Sequence, residues 1–229
     1  MNEDRVSEYN RDQWDSFRAI ERVCRSLPES ELEKLKESLG SYLQFRNALA
    51  EYQQRHFDTF CQATCFGNKL SACCGYESIF TFFADQVITF LLSTPQELDI
   101  LFSKLDRVND TQRCVYLGET GCIWRVSPIS CAMFLCDKAK RNVFEDDHHS
   151  EAAWEQLRMQ EKEFTLPTKP VLFDDIERFF IRLGVDSPHM YFHKSPGLLR
   201  LKSQSGLESQ ALKQSSAQTR SSNRNTGGD

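Results

Sequence analysis

The chain has 229 residues and a mass of 26.5 kDa; 40% of its residues are hydrophobic, 27% are charged, and the formal net charge is -5. That balance suits one globular domain with a sizeable core and excludes a fibre. An acidic pI near 5.6 excludes a general nucleic-acid coat, which needs a basic surface, so no nucleic-acid partner is expected.

The chain opens MNEDRVSEYNRDQWD, which lacks the positive start and apolar run of an export signal. Next to it, Trp14, Phe17, Ile20 or Glu21, and Cys24 recur at helical spacing, predicting a first helix. Ser26 and Glu29 around Pro28 have the spacing of a capping box for a second. That second helix is expected from about Pro28 to Phe60, with Leu32, Leu35, Leu39, Tyr42, Leu43, Leu49 and Tyr52 as an apolar stripe interrupted at Gly40. It leads straight to Cys61. The most apolar run, Ile79 to Leu92, spans fourteen residues and contains Asp85, Gln86 and two threonines. A membrane helix needs about 20 apolar residues, so the run predicts a core helix and no membrane partner. Thr94, Pro95 and Glu97 then supply an N-cap, a first-turn proline and the acid of another capping box, ahead of Leu98, Leu101, Phe102 and Leu105.

The stretch from Cys114 to Trp124 has two short β-prone runs around a glycine-bounded turn, the signal of a hairpin. Beyond Cys136, helices are expected over Glu151 to Phe164 and over Phe173 to Leu183, the latter begun by Asp174 and Asp175 and ended by Gly184. From Lys202 onward the chain lacks aromatics and is rich in Ser, Gln, Asn and Gly, a composition that does not repay the entropy of ordering. The expected fold is therefore mostly α with a small β-hairpin, a helical domain around a cysteine-rich metal centre with a disordered C-terminal tail. Its parts are a helical support over 1–56, a cysteine-cluster region over 57–140, further helices of the same domain over 141–195, and the tail over 196–229.

Nine cysteines are the anomaly, and eight of them lie between Cys61 and Cys136. With no export signal the expected location is cytoplasmic, where thiols stay reduced. A dense cysteine set there points to metal ligation or redox work rather than a disulfide frame. The spacing forms two quartets: Cys61, Cys65, Cys73 and Cys74, then Cys114, Cys122, Cys131 and Cys136, with 39 residues between them. At i and i+4, Cys61 and Cys65 share one helix face and could grip one ion. Cys131 and Cys136 would point roughly 140° apart on a regular helix, so a turn must intervene. Gly67, Gly75, Gly118, Gly121 and Pro128 stand beside the cysteines, where converging thiols require sharp bends. Neither the paired CxxC knuckles of a zinc ribbon nor a ferredoxin run fits the spacing. All eight are candidate metal ligands, and an all-sulfur set suits an iron–sulfur cluster or zinc rather than a hard cation. Lys69, Arg113, Arg125, Lys138, Lys140 and Arg141 flank them as cations for the thiolate charge. A cysteine-ligated zinc is worth on the order of 10–16 kcal/mol in peptide models, against about 5–15 kcal/mol for a whole domain. Metal loss is expected to loosen the middle third.

The matching positions Cys114, Leu117, Gly121, Cys122, Trp124, Pro128, Cys131, Phe134 and Cys136 give the second quartet a resemblance to the YkgJ-like cysteine-cluster family, a zinc- or iron-chelating domain. The Cys73-Cys74 doublet resembles that family's opening half, at longer spacing. Ser127 and Ala132 depart from it, standing where the family usually has arginine, which leaves no arginine at either position for an anion contact. The resemblance covers about residues 57 to 140 and implies binding of zinc or an iron–sulfur cluster. A flagellin lysine methylase is similar in its cysteine pattern, implying a second reading: an enzyme that modifies a protein side chain. No catalytic residue is nominated.

The remaining candidates have ordinary explanations. Cys24 sits on an apolar helix face as a packing residue, and His148 and His149 precede a helix start as solvated side chains. His189 and His193 lack a carboxylate pair nearby in sequence and follow the last expected helix. No P-loop, GxGxxG or HExxH occurs, so phosphoryl or hydride transfer has no support.

Overall fold

A computed structural model describes residues 7–67, 80–108, 113–145, 147–166 and 170–204, without the side chains of Cys65, Lys202 and Gln204. The architecture follows from where the apolar stripes lie. Helix α1 (Glu8–Ser26) starts at Ser7, whose hydroxyl accepts the Asn10 N–H at 3.2 Å, and buries Phe17, Ile20 and Cys24. The same face also buries Asn10, Gln13 and Ser16, so α1 brings a polar stripe into the core beside the apolar one.

The long second helix is broken. Helix α2 (Glu29–Ser38) and helix α3 (Gly40–Cys61) meet at the fully buried Leu39. The expected box at Ser26 does not form: α2 starts at Pro28 without a side-chain cap, and the Ser26 hydroxyl instead donates to the Val23 carbonyl at 2.8 Å. Helix α3 buries Tyr42, Phe45, Leu49, Tyr52 and Phe57 and continues past Cys61 as a π-helical turn over Gln62–Phe66. The Gly67 N–H closes that turn on the Gln62 carbonyl at 2.7 Å. A Cβ on Gly67 would stand 2.8 Å from the same oxygen, so only glycine permits the approach.

The apolar run yields helix α4 (Phe83–Leu92), shorter than the expected start at residue 79, because Phe82 is extended at φ -78°, ψ 153°. Residue 79 itself lies outside the described residues. Helix α5 (Pro95–Leu105) has its capping box as expected: Thr94 Oγ1 accepts the Glu97 N–H at 3.3 Å while Glu97 Oε2 accepts the Thr94 N–H at 2.8 Å. The hairpin forms between β1 (Leu117–Gly118) and β2 (Gly121–Cys122), antiparallel, with Leu117 opposite Cys122. Gly121 takes φ 127°, a conformation that a side chain would strain.

Helix α6 (Ile129–Ala132) is followed by a turn and helix α7 (Asp137–Phe144), so the bend required between Cys131 and Cys136 is present. Helix α8 (His148–Thr165) and helix α9 (Leu172–Arg182) come next. Two further helices, α10 (Tyr191–Lys194) and α11 (Pro196–Gln204), were not expected. The last occupies the first nine residues of the 196–229 stretch read as tail, and residues from 205 lie outside the described set. No helix among the described residues is long and apolar enough to cross a membrane.

The core is built on aromatic rings. Tyr42 meets Phe164 at 5.2 Å and Phe173 at 5.4 Å, and Phe173 meets Phe82 at 5.5 Å and Phe192 at 6.4 Å. A second group carries the hairpin inward: Tyr116 stacks edge-on to Trp124 at 5.1 Å, and Trp124 meets Phe17 of α1 at 5.4 Å. Such edge-to-face pairs add about 0.5–1.5 kcal/mol each beyond the area they bury. Because Phe173 is fully buried among rings from three segments, Phe173→Ala is expected to cost about 3–5 kcal/mol, read as a lowered denaturation midpoint at unchanged slope.

Candidate metal centre

The cysteines divide by burial. Cys24 lies in the core and its thiol is pushed up to about 11 by burial, as a packing residue should be. Cys61, Cys114, Cys131 and Cys136 are half-buried and Cys122 is exposed. Cys61, Cys114 and Cys136 pack partly buried against the core, whereas Cys122 stands exposed.

Cys61 ends α3 and Cys136 caps α7, its sulfur accepting the Ala139 N–H at 3.4 Å. The two line one groove of about 360 Å3, together with Gln53, Phe57, Asp58, Phe134 and Leu135. Cys114 and Cys122 belong to the hairpin region, where both lie close enough to Tyr116 to help burial raise its hydroxyl far above the usual range. Cys61, Cys114, Cys122 and Cys131 each take part in a further interaction. The backbone of Cys65 belongs to the π-helical turn, whereas its side chain, Cys73 and Cys74 lie outside the described residues. Among the described residues, no group of three or more His, Cys, Asp or Glu side chains stands close enough to hold a metal ion.

The segment carrying Cys131 is held by side chains that the sequence did not single out. Helix α6 has only four residues, too short to persist alone. Arg46 of α3 donates to the Ser127 carbonyl at 2.8 Å and to the Ser127 hydroxyl at 3.0 Å. Gln53, also on α3, donates to the Ala132 carbonyl. From α4, Thr89 Oγ1 accepts the Val126 N–H at 3.0 Å and Asp85 Oδ1 accepts the Ile129 N–H at 3.0 Å. The available signal was the polar residue inside an apolar pattern: Asp85 within the 79–92 run, Arg46 between Tyr42 and Leu49.

Asp85 is 2% exposed. Burial lifts its carboxyl to about 7, against the opposing pull of the Ile129 and Phe82 N–H groups and Arg46. On its other side α4 joins a buried polar network in which Gln13 donates to Thr81 Oγ1 at 2.6 Å, Gln86 donates to Gln13 Oε1 at 2.7 Å, and Ser16 bonds both Gln86 and Ser187. His189 is buried with Nε2 lacking a partner, and desolvation lowers it to about 4.

The flanking cations are spread. Arg125 faces Glu97 at 3.7 Å and Lys140 faces Asp137 at 4.0 Å. Lys140 and Arg141 line a second groove of about 670 Å3 with Met133, Phe144, Trp154 and Arg158, and Phe134 and Leu135 border both grooves. Arg113 has a further interaction and Lys138 is exposed, and Lys69 lies outside the described residues. His148 is 87% exposed, 3.8 Å from Glu151, and His149 is also exposed, in keeping with solvated side chains. His193 is a correction: its Nδ1 lies 3.0 Å from Glu177 and its Nε2 lies 3.5 Å from Asp174. The carboxylate pair absent nearby in sequence is supplied by α9, one turn of which aligns the two acids.

Compared with family models, with curated proteins and with solved structures, the chain matches none of them.

The burial order sets a reactivity order. In the reduced chain treated with a chelator, iodoacetamide is expected to modify Cys122 first and Cys24 last among the cysteines whose side chains are described, read by peptide mass spectrometry. Early modification of Cys24 would contradict its place in the core.

Proposed function

We propose that this chain is a metal-binding protein that holds zinc or an iron–sulfur cluster through its clustered cysteines. The observation that supports the reading is the groove shared by Cys61 and Cys136, which joins the two ends of the cysteine-rich region at the surface of the fold. Half-buried thiols from separate helices that line one groove remain partly accessible, and unligated they are open to oxidation. Sulfur donors suit soft metals and iron–sulfur clusters rather than magnesium or calcium, so the donor set fits either group.

Two sulfurs do not complete a tetrahedral site. The proposal therefore assigns the remaining ligands to the other clustered cysteines: Cys114, Cys122 and Cys131, and Cys65, Cys73 and Cys74. Zinc would supply cross-linking of these segments, and a cluster would add electron transfer. A second reading, an enzyme that modifies a protein side chain, is supported by the 670 Å3 groove bordering the cysteine groove at Phe134 and Leu135. Its volume lies in the range of small-molecule sites.

Chain purified without oxygen is expected to carry iron with acid-labile sulfide, absorbing at about 400 nm, or stoichiometric zinc without colour. Cys61→Ser and Cys136→Ser are each expected to lower the metal content and the midpoint of thermal unfolding, whereas Cys24→Ser leaves the metal content unchanged. A chain devoid of metal after reconstitution with either, or full metal content in both groove variants, would overturn the proposal.

A further inference from the structure

The residues that hold α6 are not equivalent. Arg46, Gln53 and Thr89 each fasten a part of the 126–132 stretch to one helix. Asp85 fastens it to something else as well. While Oδ1 accepts the Ile129 N–H at 3.0 Å, Oδ2 accepts the Phe82 N–H at 3.1 Å. One buried carboxylate thus caps α4 at its own start and α6 from across the core. The same two stretches are tied again at the surface, where the Ser130 hydroxyl donates to the Phe80 carbonyl at 2.5 Å. Cys131 is the next residue.

Chemistry explains why this position carries an acid. Two backbone N–H groups converge on one side chain, and an ionised carboxylate offers a full acceptor oxygen to each. An amide would turn its NH2 toward one of the donors. Burying a carboxylate opposes folding, so an acid placed here carries a cost that apolar packing would avoid. We propose that Asp85 is the positioning residue of the cysteine centre, setting the place of Cys131 by holding the start of α6 against the Phe80–Phe82 stretch. This rests on the metal-binding reading above.

The groups facing Asp85 define its response to pH. Arg46 and Tyr42 approach from α3 and Glu161 from α8. From α1 the uncharged Gln13 and Ser16 bond to Gln86 of α4. Phe180 of α9 packs on Phe83, and His189 bonds Thr81 through its ring and the Phe83 N–H through its carbonyl. Arg46 favours the ionised form, but burial dominates and moves the carboxyl from 3.8 to about 7. Between those values the folded chain binds the proton more tightly than the unfolded chain. The contribution of Asp85 to fold stability therefore falls as pH rises from 3.8 through about 7. Its hold on α6 has the opposite sign: protonation leaves one acceptor oxygen for two donors, so one stretch is released as pH drops. A merely structural acid would show the first trend alone.

The test compares zinc affinity of the full chain and of Asp85→Asn, by competition with a chromophoric chelator under reducing conditions, one unit above and one unit below the Asp85 midpoint. Thiol ionisation tightens binding with pH in both proteins and cancels in their ratio. The variant is expected to bind about 10- to 100-fold more weakly at the higher pH, with the gap narrowing at the lower. Equal affinities, or a gap that does not change with pH, would overturn the role of Asp85 while leaving the metal reading in place. Absence of zinc binding by the unmutated chain at both pH values, with no cluster formed on reconstitution, would overturn both. If Asp85→Asn does not fold, amide exchange in the unmutated chain decides. Protection at Ile129 or Phe82 is expected to fall as pH drops through the midpoint once the intrinsic exchange rate is corrected for, and constant protection at both would overturn the proposal.

Discussion

Helix α6 has four residues, fewer than the chain needs to repay the cost of starting a helix, so its geometry is imposed from outside. The imposition comes from polar side chains on two helices, α3 and α4. Asp85 takes its first N–H, Gln53 gives to its last carbonyl, and Arg46 and Thr89 hold the residues leading into it. Each bond is worth about 0.5–1.5 kcal/mol net, and more where a charge takes part. Their greater effect is on specificity, because buried donors and acceptors accept few alternative arrangements. The surface segment with Cys131 therefore inherits the rigidity of α3 and α4.

Those two helices are fixed by apolar contacts of a different kind. Tyr42, Phe45 and Phe173 lock α3 to α8 and α9, while Phe83 of α4 meets Phe180 of α9. Asn10 extends the frame at the other end, donating to the Arg107 carbonyl at 3.1 Å just past α5. The hairpin has only four ladder residues, and Tyr116 and Trp124 seat it on Phe17. The hairpin of Cys122 and the α6 segment of Cys131 are thus attached to longer helices by large rings and by polar side chains respectively.

Periodicity made the helices legible, and local chemistry made some of their ends so. Thr94 with Glu97 is a capping box in both sequence and structure. Ser26 with Glu29 has the same spacing and forms none, because the Ser26 hydroxyl closes the preceding helix instead. The stripe through Leu39 showed its apolar face but not the break, since an interruption at one residue shifts the face little. The short helices α10 and α11 escaped notice because four to nine residues span too few turns to show a period. In the site, the cysteines announced themselves by number, whereas their supports did not. Asp85 and Arg46 act on residues more than forty positions away in the chain, and no local pattern encodes that. His193 illustrates the same limit: its two carboxylates, Asp174 and Glu177, come from the preceding helix.

The placement of the thiols has a further consequence for how a metal would couple to folding. Zinc sites in isolated fingers supply nearly all the folding energy of their domain. Here the rings of α3, α4, α8 and α9 pack directly on one another, Cys61 and Cys136 lie at the edge of that core, and the buried Cys24 belongs to α1. An ion at the groove of Cys61 and Cys136 would join the end of α3 to the start of α7, two elements already in contact. Its stabilisation would then fall on the cysteine-bearing segments rather than on the helical frame. If the cysteines bind a metal as proposed, such a frame would hold their supports in place before the metal arrives, and the centre would be loaded after the chain has folded.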